Sequence, residues 1–543
     1  MKGLIKSIVK KTAAVILAAT VLFSGFSAFN TAEAARAGFD PKKVGGKVTI
    51  SFSTDANKLL AGTTTDAYSA RVQALIYDSL VATDQQGKII PSVATKWDVT
   101  SDGKQYTFYL RKDVKFHDGK PLTADDVIFT YDILSNKDSI YSYKSNFDLI
   151  DKVEKIDNYT IRVKLKDRDV FFLYNFSFGI LPKHLLPKGV DDFNNNTKLH
   201  RNPIGSGPFK FKEWKTAERI VLTANKDYWD GRPYMDEVIF KILPDTNTEV
   251  INLLKGNTDF LESVQAKSIQ EVTKDKDLKV MKYDRASFNF IGWNMLDPIF
   301  SDTKVRQALT YALDRKTLLE KLNLNNGTLA SGPFPPQLSM YDKNIKPYPY
   351  DVNKANQLLD QAGWKMGSDG YRVKNGKVLE FEFSYPSSSK LSTDVAKQAQ
   401  QMWKKVGVKA TPRAYDFQIM LEKMDARELQ MWIMAWNLGV DGDQYGLWHS
   451  SEAPDTKNGK EGLNSSQVND PRVDKILEQY RVEPDAKKRD ELYKQLHKIM
   501  NEEQYNLFLW YPKGTAGMNK KLAGVKFTLW NRYWNVIDWY WEK

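Results

Sequence analysis

The side chains that could do chemistry are scattered through the chain. Five histidines (His117, His184, His200, His449 and His497) lie far apart, and no two stand four residues apart as a zinc-binding helix requires. Acidic neighbours such as Asp125-Asp126 and Glu502-Glu503 cannot face one another on a helix, so caps and solvated faces account for them better than acid–base catalysis. There is no G-x-S-x-G elbow, no G-x-x-x-x-G-K-[ST] phosphate loop and no H-E-x-x-H helix. Cysteine is absent, which removes disulfides, thiolate metal sites, a Cys nucleophile and a lipid-modified N-terminal Cys. The expectation is a protein with no catalytic residues, no cofactor and no resident metal.

The N-terminus carries an export signal. Lys2, Lys6, Lys10 and Lys11 form a basic segment, residues 13–23 (AAVILAATVLF) a short apolar one, and Ala32-Glu33-Ala34 an A-x-A cleavage site. A signal peptide over 1–34 is therefore expected, cleaved near Ala34, leaving a soluble periplasmic protein without a lipid tether. The formal charge is +12, but acidic and basic residues alternate with no long basic block, which argues against nucleic-acid binding. A chain of 543 residues should divide into two or three lobes.

The elements that would position a site are α and β interleaved, without a fixed repeat. Strands are expected at 47–52, 106–111, 159–165, 219–224, 236–243, 378–385, 429–436 and 507–511. Residues 159–165 alternate cleanly, with Ile161, Val163 and Leu165 on one face. Asp66 is placed to cap a helix over 67–80, and Thr123 with Asp126 makes a capping box for the helix that follows. Further helices are expected at 247–254, 302–313, 352–362, 393–406, 471–481 and 485–503. Residues 186–203, rich in Asn and bounded by Pro, read as a loop between lobes.

Five blocks carry a family resemblance: residues 77–134, GSGPFKFKEW (205–214), NKDYWDGRPYMDEVIFKIL (225–243), NMLDPIFSDTKVRQALTYALDR (294–315) and WNLGVDGDQYGLWHSS (436–451). In order and spread they resemble the extracytoplasmic solute-binding family 5 of ABC importers, which includes oligopeptide, dipeptide and nickel binders; the last block looks nearest to oligopeptide binders. The resemblance implies an α/β periplasmic-binding-protein type II fold with two hinged lobes and an inserted third. The first clamp lobe is placed at 35–85 with 201–290 and 508–543, the inserted lobe at 86–200 and the second clamp lobe at 291–507. It further implies a monomer that captures a peptide and delivers it to an ABC permease with its ATPase. An oligosaccharide or a metal chelate on the same fold is the alternative.

A peptide buried between lobes needs a carboxylate for its ammonium, because an unpaired buried charge is costly. As the family aligns, the ammonium-pairing Asp stands three residues after the Trp. Here that position is Gly439, so Asp441 becomes the first candidate and Asp443 the second. Trp436, Tyr445 and Trp448 are candidates for stacking on the ligand, His449 is a weaker one, and Arg413 is a candidate partner for a ligand carboxylate.

Overall fold

The computed structural model describes residues 38–543 except Thr65, so the expected signal peptide lies outside the described residues. Two lobes share one sheet of 12 strands. In one half, Lys47–Phe52 pairs in parallel with Glu237–Ile242 and Phe260–Leu261, and Arg219–Ala224 and Phe209–Lys215 extend the edge. In the other half, Glu380–Pro386 runs parallel to both Lys409–Tyr415 and Met431–Asn437, and Met431–Asn437 pairs with Ser287–Trp293.

A single strand joins the halves. Asn506–Asn519 pairs through Asn506–Trp510 with Ser287–Trp293, and through Lys513–Asn519 with Leu278–Asp284. The sequence expectation ended this strand at 511; it runs on through Pro512, although proline cannot donate to a ladder. Pro512 lies within the strand, opposite Gly327 of the short strand Gly327–Leu329 on one edge and between the Trp510–Asn289 and Lys513–Asp284 pairs, where the strand changes neighbours, on the other. Two chain crossings, 284–287 and 510–513, thus link the two sheet halves, an arrangement that suits a hinge.

A smaller sheet of four antiparallel strands, Ala94–Val99, Gln105–Leu110, Thr160–Leu165 and Ile150–Asp157, carries the helix Ala124–Ser135. The expected capping box is present, with the Thr123 N–H donating to the Asp126 carboxylate at 2.9 Å. Ile161, Val163 and Leu165 are buried as their alternation requires.

Two expectations change. The helix capped by Asp66 runs Ala67–Ile76, not to 80. The Ile76 carbonyl accepts the Gly207 N–H at 2.8 Å. Gly207 lies so flat on this turn that a Cβ would stand 2.7 Å from the Ile76 carbonyl carbon, and this docking replaces the next helical turn. Residues 186–203 are not all loop: they hold the short helices Val190–Asn195 and Thr197–Arg201. Asn196, read as loop chemistry, caps the second by accepting the Leu199 N–H at 3.1 Å.

Candidate functional site

Three cavities of about 1010, 580 and 660 Å³ meet at Val440, between the lobes. Their joint size exceeds what a drug-sized solute fills. The inserted lobe and the second lobe close over one side. The Val170 N–H donates to the Arg481 carbonyl at 3.1 Å, and the Phe171 ring stacks on Tyr480 with centroids 4.9 Å apart.

The loop at the junction grows directly out of the sheet. Met431–Asn437 ends beside Ser287, and the Leu438 N–H donates to the Ala286 carbonyl at 2.7 Å. The chain then turns back at Gly442, whose φ of +71° is a conformation that favours glycine. Asp441 is folded over this loop and lines two of the cavities. Its Oδ1 accepts the Asp443 N–H at 3.1 Å, and among the described residues no side chain donates to the carboxylate. Burial, and then the neighbouring Asp443 charge, push its pKa up to about 6.

Asp443 is engaged elsewhere. Its Oδ2 accepts from Arg481 Nε at 2.9 Å and Nη2 at 2.7 Å, and its Oδ1 accepts the Tyr445 N–H at 3.0 Å. The arginine pair braces the loop from the helix Pro471–Val482. Asp169, from the inserted lobe, also faces this group, and burial raises its pKa. Three carboxylates thus gather around the Arg481 guanidinium, and Arg489 lines the same cavity as Asp441.

The adjoining cavity is lined by three arginines, and the sequence reading missed them. Arg71 Nη2 donates to Glu262 Oε1 at 3.0 Å and Arg532 Nε to the same oxygen at 2.9 Å. The Tyr533 hydroxyl donates to Oε2 at 3.2 Å. Arg285, at the hinge, lines the same cavity as Arg71 and Arg532. It donates to Asn437 Oδ1 at 3.3 Å, and among the described residues no carboxylate lies within ion-pair distance of it. Burial, and then Arg532, lower its pKa. These residues come from four distant segments with no shared motif, so no sequence spacing signals their meeting.

The other candidates fall outside the three cavities. Trp448 is core, 2% exposed, donating to Gln444 Oε1 at 3.1 Å and stacked beside Phe288. Trp436 packs with Trp432 and Trp448 on the face of its strand away from the cleft loop. Tyr445 is sandwiched between the His449 ring, 4.1 Å away, and the Arg481 guanidinium, 3.8 Å away. His449 is buried, its Nδ1 2.8 Å from Ser451 Oγ. Arg413 lies on the outermost strand of the sheet with its side chain 60% exposed, paired to Glu382 at 3.0 Å. Aromatic rings beside the loop are thus used for packing and bracing, and the Arg413 cation for a surface pair. Among the described residues no cluster of His, Asp and Glu has the arrangement of a metal site.

The chain is similar to known binding proteins along most of its length. The oligopeptide-binding protein AppA of Bacillus subtilis (strain 168) is 35% identical over 487 residues, covering 88% of each chain. The solved structure of AppA from Bacillus subtilis in complex with a nonapeptide superposes with a TM-score of 0.76 at 33% identity, covering 92% of this chain and 100% of that one. NikZ from Campylobacter jejuni in complex with Ni(L-His) superposes with a TM-score of 0.77 at 27% identity, covering 91% of this chain and 99% of that one. Residues 88–458 match the family described as bacterial extracellular solute-binding proteins, family 5 Middle. With a two-lobed α/β fold, a hinge of crossing strands and a charged cleft between them, this chain belongs to the family 5 bacterial extracellular solute-binding proteins.

Proposed function

We propose that the protein captures oligopeptides in the interlobe cleft and hands them, unaltered, to a membrane ABC permease whose ATPase drives import. The observation that carries this reading is the Asp441 carboxylate. It lines the cleft, accepts a single backbone N–H, and is pushed up to about 6 by burial, so an incoming ammonium meets an unsatisfied anion. Peptide amides can be met by cleft backbone in a strand-like way that reads no particular side chain, which suits a broad importer. Water in roomy cavities accommodates the side chains. The oligopeptide-binding relative at 35% identity supports the same ligand class.

The protein acts outside the cytoplasm, released into the periplasm after cleavage near Ala34, and works as a monomer. Among the described residues no helix is long and apolar enough to cross a membrane. Native mass spectrometry of the purified protein tests the ligand class. A distribution of peptide masses is expected; a single sugar-like or metal-chelate mass, or a guest released in cleaved form, defeats the reading.

A further inference from the structure

The hinge end of the cleft holds more positive charge than its own acids balance. Arg71 and Arg532 share one carboxylate, Glu262, and both approach it at 2.8–3.0 Å. Glu249 lies close behind but is buried, and burial followed by the Glu262 charge pushes its pKa up to about 7, so it neutralises little. Arg285 then adds a third guanidinium, which among the described residues hydrogen-bonds to a neutral amide, Asn437, and to no carboxylate. Closing the lobes removes water from a site with more cations than anions, and that is unfavourable unless an anion enters with the ligand. A guanidinium presents a planar fork of donors that fits a carboxylate in a bidentate way.

We propose that Arg285, backed by Arg71 and Arg532, is a carboxylate subsite, so that the captured peptide carries an acidic group at the hinge end of the cleft. This rests on the peptide reading above and specifies its ligand class. The geometry limits which carboxylate can reach it. Arg285 is bonded to Asn437 and the ammonium candidate is Asp441, so the loop residues that carry or hold the two anchors have Cα atoms at most about 14 Å apart. An extended peptide covers that span with about four residues. The carboxylate therefore belongs either to the C-terminus of a short peptide, of the order of four residues or fewer, or to an Asp or Glu side chain near the start of a longer one.

Calorimetry on the full mature chain separates these sources. One arm compares tetra-alanine with its C-terminal amide. The other compares C-terminally amidated nonapeptides carrying Glu or Gln at the second, third or fourth position. A third probe, citrate, is a carboxylate that is not a peptide. In at least one peptide arm the acid-bearing probe is expected to bind about tenfold or more tightly than its neutral counterpart. Arg285→Gln abolishes that preference and Arg285→Lys retains part of it, with melting curves reporting that each variant folds. If Arg285→Gln does not fold, the wild-type preference and its reduction in Arg285→Lys decide.

An unchanged acid preference in Arg285→Gln, or no acid preference in the wild type, overturns the subsite. If no peptide binds but citrate does, and Arg285→Gln loses it, the subsite stands and the peptide reading falls. If neither peptides nor citrate bind, the subsite is overturned.

Discussion

The Asp441 carboxylate lies over Gly439. A Cβ built on Gly439 would stand 2.6 Å from Asp441 Oδ1, so the carboxylate fills the space into which a side chain at 439 would project. The sequence resemblance puts the ammonium-pairing acid of peptide binders at this position, and here glycine occupies it. A carboxylate stands two residues further along, on a loop that Gly442 turns back and Arg481 braces through Asp443. Under the proposed peptide reading, this departure from the family pattern is a relocation of the anchor along the loop, with the carboxylate kept beside the same backbone position.

Asp441→Asn is expected to weaken peptide binding by on the order of 2 kcal/mol or more, because the ligand ammonium is left buried without its partner. The same change should stabilise the empty protein. A carboxyl raised from 3.8 to about 6 contributes stability that is present below 3.8 and is lost as pH rises through about 6. Above that pH the asparagine avoids a penalty of on the order of 3 kcal/mol. Calorimetry and denaturant unfolding at pH 7.5 measure both effects; unchanged affinity removes Asp441 from the site.

Binding should depend on pH in the opposite sense to that stability term. The ammonium needs the ionised form, so affinity falls as pH drops through about 6. At pH 5 the competent fraction is about a tenth, giving Kd about tenfold weaker than at pH 7.5. Asp441→Asn should flatten that slope, which a titration series on both proteins will show.

Gly439→Ala tests the relocation directly. Its backbone has no need of glycine's left-handed conformations, so the fold should survive, while the added methyl displaces the Asp441 carboxylate. Peptide affinity should fall by about tenfold with little change in melting temperature. Gly439→Asp, which places an acid at the family position, should recover part of it.

The hinge should be sensitive at Gly514. It pairs with Tyr283 immediately beside the two crossings, and any side chain there would run into the Tyr283 ring. Gly514→Ala is expected to cost about 1–3 kcal/mol of stability through overpacking. Because the clash lies in the crossing strands, it should also shrink the difference between empty and peptide-bound envelopes in small-angle scattering.

His497 should remain neutral in acid. It is buried, with Nδ1 accepting the Asp342 N–H at 3.2 Å and Nε2 3.0 Å from Ser331 Oγ, and burial lowers its pKa to about 4. Its contribution to stability is therefore present above the usual 6.5 and is lost as pH falls from there through about 4. An NMR titration should show the ring uncharged at pH 5.5, in the tautomer that carries its proton on Nε2.

What the sequence determined by itself was local. The Thr123–Asp126 capping box, the alternation over Thr160–Leu165 and the Asp66 cap are each set by contacts within a few residues, and each forms as read. The block at 436–451 likewise marked the loop that reaches the cleft. Tertiary structure decided the rest. The helix after Asp66 stops at Ile76 because Gly207, far along the chain, docks on its last turn. Pro512 lies within a strand, at the place where the ladder changes partners. Arg71, Glu262, Arg285 and Arg532 meet only because the chain crosses repeatedly between lobes. Spacing along a chain encodes contacts within a turn or a hairpin, whereas the balance of charge in a cleft depends on which distant segments the sheet brings together.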